Sequence, residues 1–318
     1  MSGTRAPYVL TFGESMGLLR QHTPGRLVTQ RSLDFGFGGA ESNVAIALSR
    51  LGIDSVWCGR LGTDGVGELI ERELRAERVH PQITWDAQAA TGLMLKERPT
   101  AGTSKVVYYR THSAGSRLTP ADVSDELIAN AALVHVTGIT PALSPSADAT
   151  VESVMVRARA AQVPVSIDLN YRSALWERAA AAARLIELVA HADLVFAGDD
   201  EAAILLGQRS VTELAAGLRE LGPSDAIIKL GERGCYADTV SGSRELAAVP
   251  VTAVDTVGAG DAFVAGYLAE WVQGASLAQR LETAVMAGAC ACLTAGDWEG
   301  LPRREDFALL HASEPVQR

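Results

Sequence analysis

Two patterns of apolar residues alternate along most of the chain. Short runs such as Tyr8–Phe12, Ser55–Cys58, Leu133–Val136, Val163–Asp168, Leu194–Phe196 and Ala226–Lys229 are apolar on nearly every position. Such runs predict strands covered on both faces. Between them the apolar residues recur every three or four positions. This spacing predicts helices over Ser42–Leu51 (stopping at Gly52), Asp64–Ala76, Ser146–Ala161, Ala174–Ala190, Asp199–Leu206, Gly258–Gln273 and Leu277–Thr294. Strand–helix alternation of this kind implies an α/β fold with a mostly parallel sheet between helices. Two regions break the alternation. Residues 14–37 are polar and turn-rich, and residues 81–112 hold the extended segments Thr91–Leu95 and Lys105–Arg110. They predict a small β-sheet lid on a single domain spanning residues 1–318.

Charge changes the picture mainly by exclusion. The chain has 28 basic and 38 acidic residues, a net of −10. Sequence-independent nucleic-acid binding needs the opposite balance. A phosphorylated ligand stays open, because charges are screened over roughly 8 Å and a few local cations suffice. The four cysteines form no CxxC pair and the six histidines show no metal-binding spacing. No apolar run is long enough to span a bilayer and no signal sequence opens the chain, so a cytoplasmic protein without membrane contact is expected.

Candidate chemistry lies at Asp255-Thr256-Val-Gly258-Ala259-Gly260-Asp261. Gly258 and Gly260 stand where a helix begins, and a helix start offers unpaired N–H groups and partial positive charge to an anion. Asp261 would stand beside bound phosphates, placed to take a proton from an attacking hydroxyl. Two plainer readings remain at this point: a helix-start acid, or a dinucleotide fingerprint. The fingerprint is disfavoured because its third glycine position is Phe263 and the site comes late in the chain. A Walker-type phosphate loop is absent from the sequence.

The segment resembles the second signature of the PfkB (ribokinase-like) carbohydrate kinases. The first signature is matched by Gly38-Gly39-Ala-Glu-Ser-Asn43-Val-Ala45, followed by Gly59-Arg-Leu-Gly-Thr-Asp64-Gly-Val-Gly67. The resemblance implies a ribokinase-like three-layer sandwich with a β lid. It implies Asp261 as base, the N–H groups of Gly258, Ala259 and Gly260 as anion hole, and Gly39 and Asn43 as sugar contacts. It places Lys229, Gly231, Gly234 and Thr256 beside ATP, and Glu201 near Mg²⁺ through water. Where the family often has asparagine three residues before this glutamate, the chain has Gly198. A monovalent cation and a homo-oligomer are further expectations from the resemblance.

Further segments resemble one subgroup, the 2-keto-3-deoxygluconate kinases: Tyr108-Tyr-Arg110, Gly138–Pro145, Asp168-Leu-Asn-Tyr-Arg172 and Gly296-Asp297-Trp-Glu-Gly300. A sugar acid carries a carboxylate that neutral sugars lack, and an arginine fork suits it. Arg110 and Arg172 are the candidates for that carboxylate. Tyr108 would donate or stack, and Asp297 would accept from hydroxyls nearer the reacting end. Met94 stands where the subgroup often has tyrosine. The expected reaction is phosphorylation of O6 of a 2-keto-3-deoxy acid, 2-keto-3-deoxygluconate first, with the galactonate form also open. The competing readings are a kinase of a neutral sugar or nucleoside, and a non-catalytic sugar-binding regulator on the same scaffold.

Overall fold

The computed structural model describes residues 7–100 and 103–311. The single-domain reading over 1–318 therefore extends beyond the described residues at both ends, and Ala101 and Gly102 also lie outside them. The first half of the chain runs β1 (Tyr8–Phe12), β2 (Met16–Gln21), β3 (Leu33–Gly38), α1 (Ala40–Arg50), β4 (Ser55–Gly62), α2 (Gly65–Ala76), β5 (His80–Asp86), β6 (Leu93–Thr100), β7 (Thr103–Tyr109), α3 (Asp125–Ala129) and β8 (Ala131–Thr137). Next come α4 (Pro145–Ala160), β9 (Val165–Asp168), α5 (Arg178–Val189), β10 (Leu194–Gly198), α6 (Asp199–Leu206) and α7 (Val211–Glu220). The remainder is β11 (Asp225–Lys229), β12 (Cys235–Thr239), β13 (Gly242–Leu246), α8 (Ala259–Trp271) and α9 (Leu277–Ala291).

Nine strands form one sheet in the order β13-β12-β11-β10-β9-β8-β1-β4-β5. All pairings are parallel except those of β11 with β12 and β12 with β13. Side chains alternate across each strand and feed two cores. Leu10, Val134, Val195 and Ile228 point to one, with α4, α5, α6 and α7. Val9, Leu133, Phe196 and Ile227 point to the other, with α1, α2, α8 and α9. The strands are apolar on both faces because helices cover both faces. The result is the three-layer α/β sandwich expected from the alternation.

A second sheet has four strands in the order β3-β2-β6-β7. It corrects one boundary of the expected lid. Residues 80–86 pair in parallel with β4 and extend the large sheet, so the second stretch of the small sheet starts only at Leu93. The pattern His80-Pro-Gln-Ile-Thr-Trp-Asp86 is mixed because β5 is an edge strand, half-exposed on both faces. Three elements have no counterpart in the predicted set: α3, α7 and the β12–β13 hairpin.

Arg50 ties the C-terminal segment to this frame. Its guanidinium donates to Glu77 at 2.8 and 3.0 Å and to the carbonyls of Trp298 and Glu299 at 3.3 and 3.2 Å. The same group lies over the Trp298 ring. Replacing it leaves Glu77 with only the more distant Arg303 at 3.7 Å and removes the guanidinium donor from the Glu299 and Leu301 carbonyls. Arg50→Met is expected to lower stability by about 2–3 kcal/mol. Urea unfolding checks this, with a lower midpoint at an unchanged slope.

Candidate active site

The carboxyl ends of the parallel strands open into a cavity of about 620 Å³. This is where open α/β sheets bind ligands. Glu14 follows β1, Asp168 ends β9, Gly198 ends β10 and Lys229 ends β11, and all four line the cavity. The small sheet supplies the opposite wall through Leu18, Met94, Lys96, Val106 and Tyr108.

Gly258 sits at φ +77°, in the left-handed region, and forms the N-cap of α8. A Cβ on this glycine would lie 2.2 Å from the carbonyl oxygen of Asp297, so both conformation and space require glycine. The turn leaves the N–H groups of Gly258 and Gly260 without a partner among the described residues. The Ala259 N–H instead donates to Thr256 O at 3.3 Å. Two free donors at the start of an apolar helix make a cradle for an anion.

Asp261 lies in the first turn of α8, facing the cavity. Burial among protein atoms pushes its carboxyl up to about 7, and the neighbouring Asp168 carboxylate adds to the effect. The Asn43 side-chain amide donates to its Oδ2 at 2.8 Å and, with Arg172 and Lys229, pulls the other way. Asn43 belongs to α1, so this bond joins the two glycine-led signature segments across 218 residues.

Lys229 Nζ contacts both oxygens of Asp168, at 2.7 and 2.6 Å. Burial alone would lower its pKa, but Asp168, Glu201 and Asp261 outweigh it and hold the ammonium charged. Glu201 accepts from the N–H groups of Tyr171 at 3.0 Å and Gly198 at 2.7 Å, which joins the ends of β9 and β10. Burial raises its pKa. Glu41 accepts from Thr137 and Thr140 at 2.6 and 2.7 Å, and burial raises its pKa too. Among the described residues no cluster of three or more His, Cys, Asp or Glu forms a metal cage. Mg²⁺ needs only one or two carboxylates when phosphates and water complete its shell. Glu201, Asp168 and Asp200 at the cavity wall suit that arrangement.

Residues 6–304 match the family model described as pfkB family carbohydrate kinase. The chain belongs to that family. A 2-dehydro-3-deoxygluconokinase of Bacillus subtilis (strain 168) is 36% identical over 303 residues, covering 94% of each chain. A 2-dehydro-3-deoxygalactonokinase of Haloferax volcanii is 33% identical over 284 residues, covering 88% of each. Among solved structures, a 2-dehydro-3-deoxygluconokinase from Thermotoga maritima superposes with a TM-score of 0.88 at 26% identity, covering 97% of this chain and 99% of that one. The fold is thus ribokinase-like, and the activity is that of a carbohydrate kinase.

Within the kinase, the cavity gathers Gly39, Asn43, Tyr108, Arg110, Arg172, Glu201, Lys229, Thr256, Gly258, Gly260, Asp261 and Asp297. Gly231 and Gly234 do not line it. Gly234, at φ +100°, packs so tightly against the backbone after β13 that a Cβ would lie 2.0 Å from Leu246 O. Its role is in the turn into β12. Asp64, from the third motif, caps α2 through the N–H groups of Val66 and Gly67 and holds Thr91 N at 2.8 Å. Arg110 also differs from expectation: its Nε donates to the buried Glu14 at 2.7 Å, and its Nη2 contacts the same oxygen. Its charge is matched before any ligand arrives. Sequence reasoning missed Glu14, Glu41, Lys96 and Asp168. Glu14 and Asp168 were findable, since each follows or ends a predicted parallel strand.

Asp261→Asn is expected to cut turnover by roughly 10²-fold or more. In the unmodified kinase kcat/KM should rise with pH along a limb centred near 7, as Asp261 loses its proton. Stability follows the opposite sense. A carboxyl with a folded pKa of about 7 keeps a proton that the unfolded chain releases near pH 4, so its contribution falls as pH rises between those values. Asp261→Asn should therefore be the more stable protein at pH 8, by up to about 4 kcal/mol, in thermal or urea unfolding.

Proposed function

We propose that the kinase transfers the γ-phosphoryl group of ATP to the terminal O6 hydroxyl of a 2-keto-3-deoxy sugar acid, 2-keto-3-deoxygluconate foremost. One observation carries the reading. The cavity joins a base-and-cradle end, Asp261 with Gly258 and Gly260, to an arginine that makes no ion pair within 4 Å among the described residues. That arginine is Arg172, whose one hydrogen bond among the described residues goes to the neighbouring Tyr171 carbonyl. A neutral sugar gives this guanidinium nothing to bind; a carboxylate gives it a two-pronged partner. The relatives named as kinases of 2-dehydro-3-deoxy acids support the same class.

In this reading the small sheet is a lid that closes on the sugar. The sugar lies between Tyr108 and Met94, cross-strand neighbours on β7 and β6, and the floor formed by Gly39 and Asn43. Its carboxylate meets Arg172, and Arg110, braced by Glu14, flanks it. Asp261 takes the proton as the hydroxyl oxygen bonds to the γ-phosphorus and the bond to the ADP oxygen breaks. The free N–H groups of Gly258 and Gly260 receive the charge on the transferring group, a contribution of about 3–4 kcal/mol for each such donor in comparable sites. Lys229 and Thr256 flank the phosphates. Mg²⁺, when bound, would neutralise phosphate charge, and Glu201 would hold it through water.

The galactonate form is the second reading. Met94, buried at 7% exposure, supplies no hydroxyl donor where a tyrosine could fix one epimer, and one relative is named for the galactonate. The experiment is ADP release with MgATP on 2-keto-3-deoxygluconate, 2-keto-3-deoxygalactonate, fructose, ribose and adenosine. Preference for either acid is the expected result, and preference for a neutral substrate overturns the specificity. Arg172→Ala should raise KM for the acid about tenfold with little change in KM for ATP, as one charge-assisted contact implies.

A further inference from the structure

A lysine of the lid reaches into the loop that precedes the anion cradle. Lys96, on β6, is 7% exposed, and its Nζ lies 2.6 Å from Asp255 Oδ2. Asp255 is a structural corner of that loop. Its Oδ1 accepts from Val257 N at 3.3 Å, and the N–H groups of Val254 and Asp255 both donate to Cys292 O at the end of α9. Three residues further on stands Gly258, pressed against the backbone of Asp297. The Asp297 side chain in turn fills the space beside Gly38, at the end of β3. Lys96 is thus the cation of a buried group that holds two carboxylates, Asp255 and Asp297, between the lid and the phosphate loop. Its attraction acts on Asp297 as well, against the repulsion of Glu299 and Asp255.

A buried ion pair adds little net stability over an apolar pair of equal volume. The stability of the lid therefore does not account for a charge placed here. The placement accounts for it: the Asp255–Gly260 loop carries the cradle, and the lid is the part that meets the sugar.

We propose that Lys96 is a positioning residue for phosphoryl transfer, a lid-borne ammonium that holds the Asp255–Gly260 loop in the conformation that presents the Gly258 and Gly260 N–H groups. The proposal rests on the reading of those groups as the anion cradle. It gives the lid a second task besides covering the sugar, because any movement of β6 moves the charge that fixes the loop. A 1 Å error in such a loop is enough to slow transfer strongly.

Lys96 and Thr256 line both the active-site cavity and a second one of about 580 Å³. A small amine can therefore reach the space that a shortened side chain leaves. In Lys96→Ala, kcat is expected to fall about 10–100-fold, with a smaller change in KM for the sugar. Added n-propylammonium should restore most of the loss, and tetramethylammonium at equal ionic strength should not. Amide hydrogen exchange over Val257–Gly260, measured without sugar, should quicken in the variant and slow again with n-propylammonium. This second readout is independent of substrate identity, so failure of the sugar-acid reading leaves it intact. The double variant Lys96→Met with Asp255→Asn removes the contacting carboxylate together with the ammonium and keeps the test available if Lys96→Ala does not fold. It should turn over as poorly as the single variant. Unchanged exchange and kcat, a loss that n-propylammonium does not restore, or a double variant with full turnover would each overturn the proposal.

Discussion

A carboxylate kept short of water, yet surrounded by enough charge to stay usable, is the constraint around which this kinase is arranged. Asp261 gains basicity because burial penalises its charged form. The same burial would leave it protonated and inert through the physiological range if nothing opposed it. Asn43, Arg172 and Lys229 oppose it, and each comes from a different part of the chain. The Asn43 bond reaches across from α1, which packs with α8 in the same core. Lys229 arrives from the end of β11 and Arg172 from the loop after β9. The order of strands in the sheet is what brings these three to one carboxylate.

Such a site detracts from the stability of the fold. Asp261 and Asp297 are both held near 7 by burial, and Glu41 and Glu201 are raised by the same cause. Groups of this kind destabilise the native state above their unfolded pKa values. The large sheet offsets that cost. Its parallel strands bury apolar side chains on both faces, in two continuous cores that flank the cavity floor. Among the described residues the small sheet's own buried cluster is Met16, Leu18 and Met94, so it holds less in reserve. A thinly packed sheet on a well-packed base suits a part that opens and closes.

The fold was legible where burial dictates pattern. Strands such as Leu194–Gly198 are apolar throughout because both faces are covered, and the helices between them repeat with the helical period. Legibility failed at edges, where exposure removes the pattern. β13, Gly-Ser-Arg-Glu-Leu, is exposed almost throughout, and β5 mixes polar and apolar residues, so one was overlooked and the other assigned to the wrong sheet. The helix α7 did carry a signal, since Ser210 and Glu213 form a capping box at its start. The Gly258–Gly260 segment was legible because its geometry forces glycine: the φ of Gly258 and its contact with Asp297 O admit little else. The partners of Glu14 and Lys96 were not, because nothing local distinguishes a buried, paired charge from a solvated one. Only the fold shows that Glu14 meets Arg110 across 96 residues and that Lys96 meets Asp255 across 159.

Those paired charges also answer a difficulty that the net charge of −10 raises. Seven carboxyl side chains line the active-site cavity against four cations, Lys96, Arg110, Arg172 and Lys229. Counted at face value, that wall would repel a nucleotide and a sugar acid alike. The count misleads because the carboxyls are not equivalent. Burial biases Glu41, Glu201, Asp261 and Asp297 toward their neutral forms, while Glu14 and Asp168 are each matched by a cation at contact distance. What a ligand meets is therefore less negative than the count, with Arg172 as the exposed positive group. Strong repulsion returns only if a cation is removed or a buried carboxyl is forced to ionise. Binding of an anionic sugar should therefore depend more on these local pairings than on the overall charge of the protein, since exposed charges beyond about 8 Å are largely screened at physiological salt.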